Sequence, residues 1–137
     1  MINQETIIAL ATPNGLGAIS VIRISGLNAI SITEKLFKSK GNKKLSNQNS
    51  HTVHLGHLIK NNHELDEVLV TIFKGPHSYT GENTIEISCH GSTYIQQEII
   101  DLFIENGIRV ANPGEFTLRA FINCLLYTSP SPRDNSG

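Results

Sequence analysis

At 137 residues, with 39% apolar and 17% charged side chains, the chain has the make-up of one globular domain with a core of ordinary size. Eleven lysines and arginines against twelve aspartates and glutamates give a net charge of −1, so the totals supply no basic footprint for nucleic acid. Two cysteines, Cys89 and Cys124, make neither a disulfide framework nor a CxxC pair, and the opening residues carry neither signal peptide nor membrane span, which points to a cytoplasmic setting.

Thr6–Ala11 is an apolar, β-branched run that reads as a strand, and Ala18–Ile24 reads as a second. Pro13-Asn14-Gly15 and Gly17 place a turn between them, so a hairpin is expected. Asn28–Lys38 has helical periodicity through Ala29, Ile32 and Leu36, with Ser25 or Asn28 as the capping residue. Ser39–Ser50 is polar and reads as a surface loop. His51–Ile59 and Glu67–Phe73 form a second expected hairpin around the polar turn Lys60–Asp66. Val68–Phe73 is apolar on both alternating faces, as befits a strand inside a sheet. Thr84–His90 is a further strand. Thr93-x-x-Gln96 reads as a capping box for a helix through Asn106, with Ile95, Ile99, Leu102 and Phe103 as its apolar stripe and Gly107 after its end. Ile108–Ala111 is a short strand, and Glu115–Phe121 opens a last helix. This order predicts an α+β (mixed α/β) domain: a mixed sheet with about three flanking helices.

Chemistry concentrates in GPHSYTGENTIEISCHG (Gly75–Gly91). Gly81 is suited to a positive φ that re-aims the chain, and it leaves Glu82 pinned at the mouth of a strand. A carboxylate held this way accepts two parallel hydrogen bonds from a planar partner; the alternative is a solvated turn residue. Along Thr84–His90, Ile85, Ile87 and Cys89 face one way while Thr84, Glu86, Ser88 and His90 face the other. His90 reads either as a structural histidine or as an acid–base or ligand-contact group. Arg23 stands in an apolar strand on the face of Val21 and needs an anion or a route to water. That anion is a ligand carboxylate, or else Glu82 or Glu86 in an internal ion pair. Glu115, after Pro113-Gly114, is expected to cap the last helix through its first-turn amides, with Arg119 as an i,i+4 partner.

Three other features carry nothing. Gly15-x-Gly17 lies between two strands and fails as a dinucleotide fingerprint, and no GxxxxGK[ST] phosphate loop occurs. His51, His54 and His57 recur every third residue, which on a strand turns His54 away from the others, so no metal site is assigned. No catalytic residue is assigned either.

IALATPNGLGAISVIRISG (Ile8–Gly26), the Asp66–Val68 segment, GPHSYTGENTIEISCHG and NPGEFTLRAFIN (Asn112–Asn123) occur in an order that resembles the amino-terminal domain of the MnmE/TrmE family of tRNA-modifying GTPases. The likeness runs from Thr6 to Asn123. It implies a fold similar to the tetrahydrofolate-binding domain of aminomethyltransferases. It further implies binding of a one-carbon tetrahydrofolate (5-formyl- or 5,10-methylene-), with Glu82 reading the pterin edge and Arg23 neutralising an acidic part of the folate, such as its glutamate tail. It implies a homodimer, a flavoprotein partner (MnmG/GidA), and 5-aminomethyl-type modification of wobble uridine, with tRNA engaged through the full complex. GTP, magnesium and potassium belong to a GTPase domain that this chain does not include.

Two departures from the pattern stand out. A lysine that the family places just after Asn123 is replaced, since Cys124 and Leu125 stand there, and Ser92 replaces the second glycine of an HGG. Residues 1–123 are therefore expected as the family domain. Residues 124–137, CLLYTSPSPRDNSG, are expected as a non-family tail, resembling translated adapter sequence on a shortened gene or else a natural disordered end. On this reading the chain is a fragment without GTPase activity of its own. The alternatives are a structural dimerisation module with negligible folate binding, and, less favoured, a stand-alone aminomethyltransferase.

Overall fold

A computed structural model of the chain describes residues 5–12 and 17–127, the last two by backbone alone. The expected turn at 13–16 and the stretch 128–137 lie outside the described residues. The elements are β1 (Ile7–Leu10), β2 (Ile19–Ser25), α1 (Ala29–Leu36), β3 (Phe37–Ser39), β4 (Thr52–Lys60), β5 (His63–Phe73), β6 (Thr84–His90), α2 (Thr93–Glu105), β7 (Arg109–Val110) and α3 (Glu115–Tyr127), with a 3-10 turn at Leu45–Asn47. The strands make one seven-stranded sheet in the order β3-β4-β5-β6-β2-β1-β7. Every neighbouring pair is antiparallel except β1 with β7, which is parallel. With three helices on a mixed sheet, the fold is α+β, as the order of sequence signals predicts.

The core occupies one face of this sheet. Ile22 and Ile24 of β2, Val70 and Ile72 of β5, and Ile85 and Ile87 of β6 meet Ala29, Ile30 and Leu36 of α1 and Ile99, Leu102 and Phe103 of α2. Each buried isoleucine contributes roughly 1.5–3 kcal/mol of apolar transfer. The predicted stripe of α2 is thus the one that packs. Gly107 follows the helix with φ 93°, a conformation glycine adopts without Cβ strain.

The structure corrects several boundaries. The first helix stops at Leu36 because Phe37 is drawn into antiparallel register with Leu58, both buried, so a short edge strand replaces the last predicted turn. Ser25 does not cap α1. Asn28 occupies the cap position without a side-chain bond, and its amide donates to Thr6 Oγ1 at 3.0 Å. The β4–β5 connection is only Asn61-Asn62, with φ of 51° and 65°. That is the left-handed geometry of a two-residue hairpin turn, so β5 begins four residues earlier than the polar composition suggested. The cap of α2 is Ser92, whose hydroxyl accepts from the Ile95 amide, rather than Thr93. Gln96, assigned to that capping box, instead turns inward and donates to Ser20 Oγ.

Candidate ligand-binding site

The second face of the sheet carries the residues singled out for chemistry. Arg23 lies opposite Glu86, and Ser25 opposite Thr84, so strand alternation brings all four side chains to the face away from the core. The loop 74–83 folds over this end. Its Gly75–Pro76 peptide is cis, and Gly81 has φ 81°, the positive value expected of it. A side chain at Gly81 would also place its Cβ 2.8 Å from that of Asn123. The loop is tied internally by Ser78 Oγ donating to the Glu82 carbonyl, and to α3 by Asn123 Nδ2 donating to the Thr80 carbonyl at 2.6 Å.

Glu82 is a held carboxylate, not a solvated one. Its Oε1 accepts from Ser25 Oγ at 2.8 Å and from Arg119 Nη1 at 3.1 Å, while Oε2 takes a longer bond from the same Nη1 at 3.3 Å. Oε2 therefore retains acceptor capacity. Ser25 Oγ also lies 2.6 Å from Thr80 Oγ1, an alternative acceptor for its proton, so a hydroxyl rotation removes one of the two donors on Oε1 and leaves Arg119 on it.

Arg23 pairs with Glu86, which resolves its two internal alternatives. Nε and Nη2 both reach Glu86 Oε2, at 3.0 and 2.9 Å. The guanidinium sits 5.2 Å from the Tyr79 ring centroid and 5.8 Å from that of Phe116, within cation–π range of both. Among the described residues Nη1 has no partner. Arg23 and Glu82 thus share one face and one end of the sheet, linked through Ser25 two residues along β2, and α3 covers them.

Arg119 is the residue whose role composition and spacing understate. Expected as an ordinary i,i+4 partner of Glu115, it does reach Glu115 Oε2 at 3.2 Å. It is also only 2% exposed and bridges to Glu82. Glu115 in turn takes a two-pronged bond from Arg109, at 3.0 and 2.7 Å, and accepts from the Asn112 amide at 2.8 Å. It does not bind first-turn amides as expected. It reaches back three residues to the amide before Pro113. The Arg109 hydrogen bonds hold the Glu115 carboxyl down at about 2, against an opposing push from burial, with the Asn112 amide adding to the depression. The same bonds raise Arg109 above its ordinary value.

A hollow of about 180 Å³ opens between the loop and α3, bordered by Tyr79, Gly81, Ala120, Asn123 and Cys124. Tyr79 is its link to Arg23. The helix runs unbroken through Asn123 and Cys124, so Cys124, at the position of the lysine expected by resemblance, forms part of the wall. Every buried side-chain nitrogen or oxygen among the described residues has a partner. Neither Arg23 nor Glu82 lines this hollow, so a ligand that reaches them extends past Tyr79 and uses their spare capacity or displaces a bond already made.

His90 belongs elsewhere. It ends β6, roughly 20 Å along the strand from Thr84 at ordinary strand rise. Its Nδ1 lies 2.7 Å from Asp66 Oδ1, and its amide donates to Asp66 Oδ2 at 3.1 Å. The Asp66 carboxylate thereby fixes the Nδ1–H tautomer and leaves Nε2 outward.

A family profile described as "GTP-binding protein TrmE N-terminus" matches residues 6–124. The chain belongs to this family. It is 66% identical over 129 residues to the tRNA modification GTPase MnmE of Flavobacterium johnsoniae, an alignment covering 94% of this chain and 28% of the relative. With the protein of that name from Flavobacterium psychrophilum it shares 62% over 123 residues, 90% of this chain and 27% of the relative. With that from Bacteroides thetaiotaomicron it shares 52% over 122 residues, 88% of this chain and 26% of the relative. The chain therefore spans little more than a quarter of the length of these curated relatives. Among the described residues no helix is long and apolar enough to cross a membrane.

Proposed function

We propose that this chain is the one-carbon-folate-binding, dimer-forming part of a tRNA uridine-modifying GTPase. In this reading Glu82 reads the pterin edge and Arg23 neutralises an acidic part of the folate. The observation that carries it is the convergence of the two side chains on one face, beside a hollow walled by an aromatic ring. Oε2 of Glu82 accepts one ring N–H directly. Rotation of the Ser25 hydroxyl toward Thr80 removes one of the two donors on Oε1, and the exocyclic amine takes that place beside Arg119, giving the bidentate pair. Nη1 of Arg23 serves the carboxylate end.

A volume of about 180 Å³ is smaller than the roughly 300–1,000 Å³ of a typical small-molecule pocket. It suits a single heterocycle, so the rest of a folate requires a second wall, which a homodimer supplies. GTP hydrolysis with its magnesium and potassium, the flavoprotein partner, wobble-uridine modification and a cytoplasmic location follow from the same reading, through the larger share of the relatives' length.

Titration calorimetry of the full chain with 5-formyl-tetrahydrofolate tests this against Arg23→Ala and Glu82→Gln. Losing one charge-assisted contact costs roughly 1.5–3 kcal/mol, so each variant should bind about tenfold to a hundredfold more weakly. Equal binding by all three proteins removes both assigned roles.

A second reading has a specific observation in its favour. Cys124 stands in the wall where resemblance expects a lysine, and Glu82 is already saturated on one oxygen. A dimerisation module with negligible folate affinity fits both facts. Sedimentation showing a dimer, with no heat of folate binding in the wild type, favours it.

A further inference from the structure

The charge total conceals a strong local asymmetry. Five of the eleven basic residues, Lys35, Lys38, Lys40, Lys43 and Lys44, fall within ten consecutive residues that contain no acid, leaving six to face twelve acids elsewhere. All five are exposed. The fold then shapes them into a groove. Lys38 projects from β3 on one side, and Lys43 and Lys44 come from the following loop on the other, enclosing a cleft of about 280 Å³ with Ser39 and Asn42.

The loop is built, not slack. Asn42 turns at φ 55°, its amide donates to the Ser39 carbonyl at 3.2 Å, and the Lys43 amide donates to Ser39 Oγ at 2.7 Å. Leu45, 1% exposed, anchors the chain immediately after the two lysines. The one acid in the cleft, Glu34, is engaged by the Ser46 amide and hydroxyl at 2.9 and 2.7 Å. Those two bonds lower its carboxyl below the usual range against a contrary push from burial, with Lys44 adding to the depression. Lys74 adds a further cation, its Nζ lying 3.5 Å from the Ser46 carbonyl. Lys40 is partly spent on Glu67, 3.4 Å away.

We propose that this groove binds the sugar–phosphate backbone of RNA, with Lys38, Lys43 and Lys44 as the principal phosphate contacts. The choice of RNA rests on the tRNA-directed reading above. The polyanion chemistry stands on the groove alone. A lipid surface fits less well, because none of the exposed large apolar side chains falls between Leu27 and Val53, so a bilayer gains charge attraction without insertion. Lysines act on phosphate as mobile point charges, which makes the contact independent of base sequence and sensitive to salt.

The experiment is a fluorescence-anisotropy titration of the full chain with a labelled, unmodified tRNA transcript, starting from about 50 mM salt. The expected result is salt-dependent binding that falls at least tenfold in Lys38→Ala/Lys43→Ala/Lys44→Ala, with the log–log salt slope reduced by about 2–3. The triple arginine variant should retain it. Three results each overturn the proposal: no salt-dependent binding by the wild type, unchanged binding by the triple alanine variant, or phosphatidylserine vesicles binding as tightly as the transcript. Folate titration of the same variant separates the two readings, since the groove lies outside the Glu82 site and its loss should leave folate affinity unchanged.

Discussion

Glu115 should govern the acid limit of this fold. Its carboxyl is moved from the ordinary 4.5 to about 2 by Arg109 and the Asn112 amide. The folded state therefore holds the ionised form more tightly than the unfolded chain does. At 1.36 kcal/mol per pKa unit, this contributes on the order of 3 kcal/mol at neutral pH. Because the folded value is depressed, the stability is fully present above about pH 4.5 and is lost as pH falls toward 2, with about 1 kcal/mol remaining at pH 3. Glu115→Gln removes the titration while keeping the shape. Urea unfolding of both proteins at pH 7 and pH 3 reports the effect, since carboxylates that share no partner with Glu115 cancel in the difference. The variant should be less stable by about 3 kcal/mol at pH 7, and the gap should shrink by about 2 kcal/mol at pH 3. Parallel curves at the two pH values refute the reasoning, because they would mean that Glu115 gains nothing from its arginines on folding.

Two further outcomes follow from burial. Arg119→Met strips the guanidinium, 2% exposed, that bridges Glu82 and Glu115. It should cost on the order of 3–5 kcal/mol in urea unfolding, whereas Lys40→Met, which breaks the exposed pair with Glu67, should cost under about 1 kcal/mol; equal losses contradict the assignment. Burial, and then Asp66, push the Cys89 thiol up to about 11, while Cys124 is exposed. Ellman's reagent at mildly alkaline pH should thus titrate Cys124 rapidly and Cys89 only on unfolding. Fast reaction of both thiols in the folded chain contradicts this burial.

Most of the sheet was readable because its signals are local. The alternation of Thr84–His90 and the stripe of α2 each depend on residues a few positions apart. What escaped depends on partners far along the chain. Phe37 has the spacing of a helical residue, and only its pairing with Leu58 makes it part of a strand. The Asn61-Asn62 turn was hidden in a longer polar stretch, whose flanking residues the ladder with β4 recruits. The site divides the same way. Arg23 announced a need for an anion, but choosing Glu86 over Glu82 requires the β2–β6 register. Arg119 showed its spacing to Glu115 and nothing of its reach to Glu82, because the loop and α3 meet only in three dimensions. Tyr79 and Phe116, flanking Arg23, left no pattern at all.

A net charge near zero usually argues against a polyanion surface, but in this chain the total does not describe the local distribution of charge. The acids are not spread evenly. Glu82, Glu115 and Glu86 are tied to Arg119, Arg109 and Arg23 around the end of the sheet beside α3, so these three arginines and three acids largely cancel locally. Their fields decay over about a Debye length, roughly 8–10 Å at physiological salt. Among the described residues only Lys40 of the lysines between Lys35 and Lys44 forms an ion pair, with Glu67, while Glu34 at the edge of the groove interacts with Lys44 at longer range. The potential a phosphate meets at that groove is set by its neighbours within the same short distance, not by the sum over 137 residues. Composition bounds what a whole surface can do, but packing decides which charges are left facing water. Among the described residues Arg23, Arg109 and Arg119 are each paired with an acid, whereas Lys38, Lys43 and Lys44 stay exposed.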